Sequence, residues 1–120
     1  MQLYVPDSRG NVADVLLGFD SAASYDHHGA CFGSTIGRNA NRVKNACFIL
    51  GGKTHALGTN DNGINNLHSG PDYYKDRLWK VERHDADSIR LSLLSPDGDQ
   101  GFPGNAQIHV TYALENPGTL

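Results

Sequence analysis

At 120 residues the chain has material for one domain with a single core. Its apolar fraction of 38% and charged fraction of 19% are below average globular usage, and 14 glycines fill much of the gap, which favours a turn-rich β architecture over a helix bundle. A net charge of −3 supplies no basic footprint for nucleic acid, and no apolar run approaches a membrane span.

The opening Met1-Gln2-Leu3-Tyr4-Val5-Pro6-Asp7 has neither the basic leader nor the sustained apolar core of a signal peptide, so the cytoplasm is the expected location. Val5-Pro6-Asp7-Ser8-Arg9-Gly10 is a turn signal between two short apolar runs, residues 2–5 and 12–17. Asp14-Val15-Leu16-Leu17-Gly18 predicts a buried strand stopped by glycine. Residues 20–29 are polar and contain His27-His28, which predicts a loop or a short helix. From 33 to 45 the glycines fall too close together for more than one helical turn.

The clearest local prediction is a hairpin. Ala46-Cys47-Phe48-Ile49-Leu50 and Lys53-Thr54-His55-Ala56-Leu57 flank Gly51-Gly52, and a two-residue turn needs the positive φ that glycine takes without steric cost. A second hairpin joins residues 78–83 to 88–95 through His84-Asp85-Ala86-Asp87. Ile89, Leu91 and Leu93 alternate there with Arg90, Ser92 and Leu94. The last strand alternates most cleanly, with Ile108, Val110, Tyr112 and Leu114 against Gln107, His109, Thr111 and Ala113. Residues 96–104 hold too much glycine and proline for regular structure. The class is all-β and antiparallel, with function expected in the loops. Because the last strand runs straight into Glu115-Asn116-Pro117-Gly118-Thr119-Leu120, a piece of a larger sheet system with exposed edges is expected.

Two clusters carry the chemistry: Gly37-Arg38-Asn39-Ala40-Asn41-Arg42 and Asn65-Asn66-Leu67-His68-Ser69-Gly70. Arginine, asparagine and histidine grip neutral polyhydroxylated ligands and move their protons. Arg42 offers five donors in a planar fork that can span adjacent hydroxyls. Asn41 could orient Arg42, donate to a hydroxyl or cap a turn. His68 could serve a site or satisfy loop backbone, histidine being the side chain whose unperturbed pKa lies near neutrality. Arg38 reads as structural, linking loops.

Other polar groups point away from chemistry. Cys31 and Cys47 read as small buried or half-buried hydrophobes. His27-His28 would point to opposite faces of a strand, and His55, His84 and His109 are scattered over expected exposed positions, so no metal site is expected. Asp97-Gly98-Asp99 is turn chemistry first and a calcium loop only second. Trp79, beside Leu78 and Val81, is expected in or near the core.

Together with Ser95-Pro96-Asp97-Gly98-Asp99-Gln100-Gly101-Phe102-Pro103-Gly104, and with Leu17-Gly18-Phe19-Asp20 earlier, these motifs resemble the aldose 1-epimerase (galactose mutarotase) family in order and spacing. The likeness spans about residues 14–114. It implies an antiparallel β-sandwich of the galactose mutarotase-like supersandwich type, incomplete here, with residues 1–120 a partial domain truncated at both ends relative to the family. It also implies an isomerase acting on free hexoses without metal or organic cofactor, with Asn41, Arg42 and His68 as substrate-binding residues. The family's general acid, a histidine in a His-x-Tyr-Phe-Asn motif, and its late base glutamate have no counterpart here. No catalytic residue is therefore expected in this chain, and the chain alone is expected to be inactive. Ser69 stands where the family more usually has glycine. Two other readings remain open: a non-catalytic carbohydrate-binding module, and a truncated gene product without function.

Overall fold

Short antiparallel ladders make up almost all the regular structure of the computed structural model, which describes residues 2–26 and 29–115. Strand β1 (Tyr4–Pro6) pairs with β2 (Val12–Asp14) across the expected turn. The Asp7 carboxylate closes that turn by accepting from the Arg9 and Asn11 amides, and these bonds, Asn11 foremost, hold its pKa below the usual carboxylate value.

The strand expected over residues 14–18 is corrected. Pairing ends at Asp14, whose carboxylate accepts from the amides of Leu3 and Leu16 and so turns the chain out of the ladder. Val15 and Leu17 are exposed, at 58% and 73%. One helical turn, α1 (Ala23–Asp26), follows, as the loop-or-short-helix reading allowed. His27 and His28 lie outside the described residues.

The middle of the chain builds two small ladders. Strand β3 (Arg42–Val43) is followed by a short 3-10 turn and then by β4 (Cys47–Leu50), which pairs with β5 (Lys53–Ala56). Gly51 and Gly52 both take positive φ, 59° and 76°, as the two-residue turn requires. Strand β6 (Asn66–Leu67) returns to pair with β3.

The largest sheet is β7 (Lys80–His84), β8 (Ser88–Ser95) and β9 (Ala106–Ala113), in that order. In β9 the expected alternation holds for Ile108, Val110 and Tyr112, half-buried, against Gln107, His109 and Thr111, which face water. It is corrected at the end, where Ala113 is half-buried and Leu114, past the last ladder pair, is 48% exposed. Strand β8 keeps its alternation at Ile89, Leu91 and Leu93 against Arg90 and Leu94, and departs from it at Ser92, which is buried, as is Ser95 at its end. Their hydroxyls are satisfied, Ser92 by donating to Glu82 and Ser95 through the network described below. Edge strand β7 is exposed along its whole length.

Ala46, Leu57, Tyr74 and Leu93 are the buried apolar residues among those described. The Cα radius of gyration is 17.5 Å, against about 14 Å for a compact chain of this length. The accessible surface of 8295 Å² likewise exceeds the roughly 6,300 Å² of a folded monomer of this mass. These faces are open, as the reading of a larger sheet system expected. Among the described residues no helix is long and apolar enough to cross a membrane.

Candidate functional site

The two polar clusters, about 25 residues apart in sequence, meet because β3 and β6 pair with Arg42 opposite Leu67. The contact continues one residue outward. Asn41 and His68 face each other in the left-handed region, φ 61° and 55°. The His68 amide donates to the Asn41 carbonyl at 2.9 Å, and the Asn41 amide donates to His68 Nδ1 at 3.0 Å. Since Nδ1 accepts, the neutral imidazole carries its proton on Nε2 and keeps a donor there. Left-handed backbone is uncommon for residues other than glycine and gathers at functional sites.

Ser69 continues this conformation at φ 56°. A glycine would take it without strain. Here the buried serine compensates: its hydroxyl accepts from the Asn39 amide at 2.7 Å and donates to the Asn39 carbonyl at 3.0 Å. The serine thus ties the second cluster to the first.

Arg42 is held by Asp61 and Asn41 and otherwise left open. Its Nε donates to Asp61 Oδ2 at 3.0 Å and its Nη2 to Asp61 Oδ1 at 3.2 Å, while Nη1 donates to Asn41 Oδ1 at 3.3 Å. Asn41 therefore does orient Arg42, one of the roles its position allowed. The arginine side chain is 54% exposed and that of Asp61 only 11%. Hydrogen bonds from Arg42 first, and from Asn65 second, hold the Asp61 pKa below the ordinary carboxylate value. Asp61 belongs to no motif read from the sequence. Its neighbours Asn60, Asn62 and Gly63 suit a turn, which hides a carboxylate facing an arginine 19 residues away.

Arg38 has the opposite fate. It donates to Ser95 Oγ and to the carbonyls of Ser95, Pro96, Pro103 and Gly104, each at 2.8–2.9 Å. Its guanidinium lies 5.9 Å from the Phe102 ring centroid, and Phe102 stacks on Phe48. The loop-linking reading of Arg38 holds. Ser95 Oγ in turn donates to Asp99, which receives a bidentate fork from Arg77 at 2.7 and 2.8 Å. The Arg77 fork holds the Asp99 pKa low against its partial burial. Asp99 is thus committed to Arg77. The 3-10 turn it starts, Asp99–Gly101, is the regular structure within residues 96–104.

Remaining sequence readings sort simply. Trp79 is half-buried, donating to the Tyr74 carbonyl at 2.9 Å with its ring edge-on to Tyr74. Cys31 is half-buried as expected, but Cys47 is exposed, because β4 turns its outer face to water. His55 is half-buried and stacked on Phe48 rather than exposed, whereas His84 and His109 face water. No group of three metal-ligating side chains converges among the described residues.

The sequence profile of the aldose 1-epimerase family matches residues 1–120. The chain belongs to the aldose 1-epimerase family. It is 39% identical over 110 residues to the aldose 1-epimerase of Escherichia coli (strain K12), covering 92% of this chain and 32% of that protein. To the galactose mutarotase of Bos taurus it is 39% identical over 113 residues, covering 94% and 32%. The solved GalM/aldose epimerase homologue from C. elegans superposes with a TM-score of 0.86 at 39% identity, covering 94% of this chain and 34% of that one. A second solved structure, galactose 1-epimerase from Lactobacillus acidophilus NCFM, gives 0.71 at 31% identity, covering 84% and 31%. The chain spans about a third of the length of the curated relatives it matches. Its ladders are accordingly those of a galactose mutarotase-like antiparallel sandwich, incomplete in these residues.

Proposed function

We propose that this chain supplies the sugar-holding wall of an aldose 1-epimerase, an isomerase that interconverts the α and β anomers of free hexoses such as galactose and glucose. Mutarotation needs a base to take the proton from the anomeric hydroxyl and an acid to protonate the ring oxygen. The ring opens, the C1–C2 bond rotates, and reclosure delivers the other anomer. Groups that hold the remaining hydroxyls keep the open form in place until it closes.

The observation that carries this reading is the Asn41–His68 pairing across β3 and β6. It leaves an Nε2–H donor on His68, whose partner Asn41 is next in the chain to Arg42, and the Arg42 fork keeps two N–H groups beyond those given to Asp61 and Asn41. Such a set suits neutral sugar oxygens.

Turnover asks for more. Asp61 is a poor base, because both its oxygens already accept from Arg42 and Asn65. The family's acid histidine and base glutamate have no counterpart in residues 1–120. On its own this chain therefore binds hexose without interconverting it, the behaviour of a carbohydrate-binding module.

Polarimetry on freshly dissolved α-D-glucose or galactose, paired with NMR of the purified chain, tests both halves. Sugar-dependent shifts at His68 and Arg42 with relaxation at the buffer rate are expected. Relaxation far above the buffer blank overturns the inactivity. No shift at millimolar sugar overturns the sugar-holding role.

A further inference from the structure

Resting on the sugar-holding reading, we propose that Asp61 is a positioning and specificity-determining residue. It fixes the Arg42 fork toward the ligand and cancels its charge, so that the site selects neutral hexoses over hexose phosphates. Three features of the geometry point this way.

First, the pair is asymmetric. The carboxylate is nearly buried and the guanidinium is half exposed, so the acid is seated and the base is presented. Second, Asp61 is itself fixed. Its carbonyl accepts from the amides of Ile64 and Asn65, its amide donates to the Asn65 carbonyl, and Asn65 Nδ2 donates to Oδ2 at 3.2 Å. Asn65 Oδ1 then accepts from the Asn45 amide, which ties the acid to the segment just beyond β3. Third, the bidentate contact engages Nε and Nη2, and Asn41 engages Nη1, so rotation of the fork is blocked from two sides.

A free arginine samples many rotamers, and a ligand that uses it must freeze them at the expense of affinity. Asp61 orders the side chain before the sugar arrives. Its charge has a second effect. An unpaired arginine beside an Nε2–H donor is an anion site, and a phosphate would form a bidentate pair with the fork. With Asp61 in place, that phosphate meets a carboxylate already occupying the matching edge of the guanidinium.

The test is an NMR titration of the 120-residue chain with D-glucose and with glucose 6-phosphate, for wild type, D61N, D61E and R42Q. In D61N the ratio of the two affinities is expected to move about tenfold toward the phosphate, and hexose binding to weaken. D61E, which keeps the charge, restores much of the wild-type ratio. In the R42Q background, D61N changes the ratio no further. The Arg42 Nε–H signal, protected from exchange in wild type, loses that protection in D61N.

An unchanged ratio in D61N overturns the proposal, as does an equal shift in the R42Q background, which would make Asp61 a mere loop support. Unfolding of D61N is read from the signals of the Gly51-Gly52 hairpin, and the exchange protection of Arg42 in D61E then decides. If wild type gives no hexose response at all, the sugar-holding reading falls first and this role with it. If wild type responds and D61N matches it, only the role of Asp61 falls.

Discussion

Two arginines four residues apart in one loop do opposite work. Arg38 spends its donors on Ser95 and on the backbone carbonyls at both ends of the 95–104 loop, while Arg42 leaves half its surface in water. Both stand in Gly-Arg-Asn-Ala-Asn-Arg, and composition does not tell them apart. What separates them is the acceptor supply. A non-repetitive loop has carbonyls to spare, and a guanidinium is the side chain best able to satisfy several at once. Arg42 instead leaves the loop on a strand whose own ladder satisfies the backbone, and its partner is a side-chain carboxylate. One arginine therefore builds the frame and the other is left half exposed, free for the proposed ligand.

The strongest way to break the frame is Gly101→Ala. Gly101 sits at φ +91°, and an added Cβ would run into the Ala56 carbonyl at the end of β5. Strain and clash together are expected to cost about 3 kcal/mol, read from urea unfolding. Asp99→Asn takes from Arg77 its nearly buried partner and leaves it only the exposed Asp72 carboxylate at 2.9 Å; a loss of roughly 3 kcal/mol or slightly less is expected by the same measurement. The pH dependence follows from the same pair. The Asp99 pKa is lowered in the folded chain, so its stabilisation is complete above the ordinary value of 3.8. That stabilisation is lost as pH falls from 3.8 through the lower folded value, and D99N is expected to flatten this part of the acid unfolding curve.

Arg38→Lys keeps the charge but cannot reach so many acceptors, and a loss of about 2 kcal/mol is expected with the His68 shifts degraded alongside. Arg42→Gln is the sharpest contrast. Its urea midpoint is expected to stay near wild type, because the side chain is half exposed, while the hexose response weakens without vanishing. If R42Q instead unfolds the chain as R38K does, the division between frame and ligand face is wrong. A final check leaves stability untouched: nitrogen NMR of His68 at neutral pH is expected to show the Nε2–H tautomer, set by the Asn41 amide.

Sequence made some of this visible for identifiable physical reasons. The Gly51-Gly52 hairpin was legible because its turn demands a backbone conformation that glycine supplies. Strand β9 was legible because one face is half-buried and its pattern has period two. Asn41, Arg42 and His68 were legible as candidates because two motifs recur together in a family. Val15-Leu16-Leu17 misled, since an apolar run carries no sign that the preceding aspartate will leave the ladder. Asp61 was invisible, because its partner is set by strand pairing rather than by spacing. Ser92 was read on an outward face, yet Glu82 reaches it from β7, and nothing in the pattern told that Arg38 would reach Ser95.

The reach of Arg38 also orders events during synthesis. Its acceptors lie 57–66 residues further along the chain. At about 5–20 residues per second, the ribosome needs roughly three to thirteen seconds to deliver them. Strand β6 and Ser69 can hold residues 39–43 earlier, but until Gly104 emerges the Arg38 end of the segment lacks its full set of acceptors. The full set of contacts that holds the proposed ligand face is thus completed only by residues made well after its own.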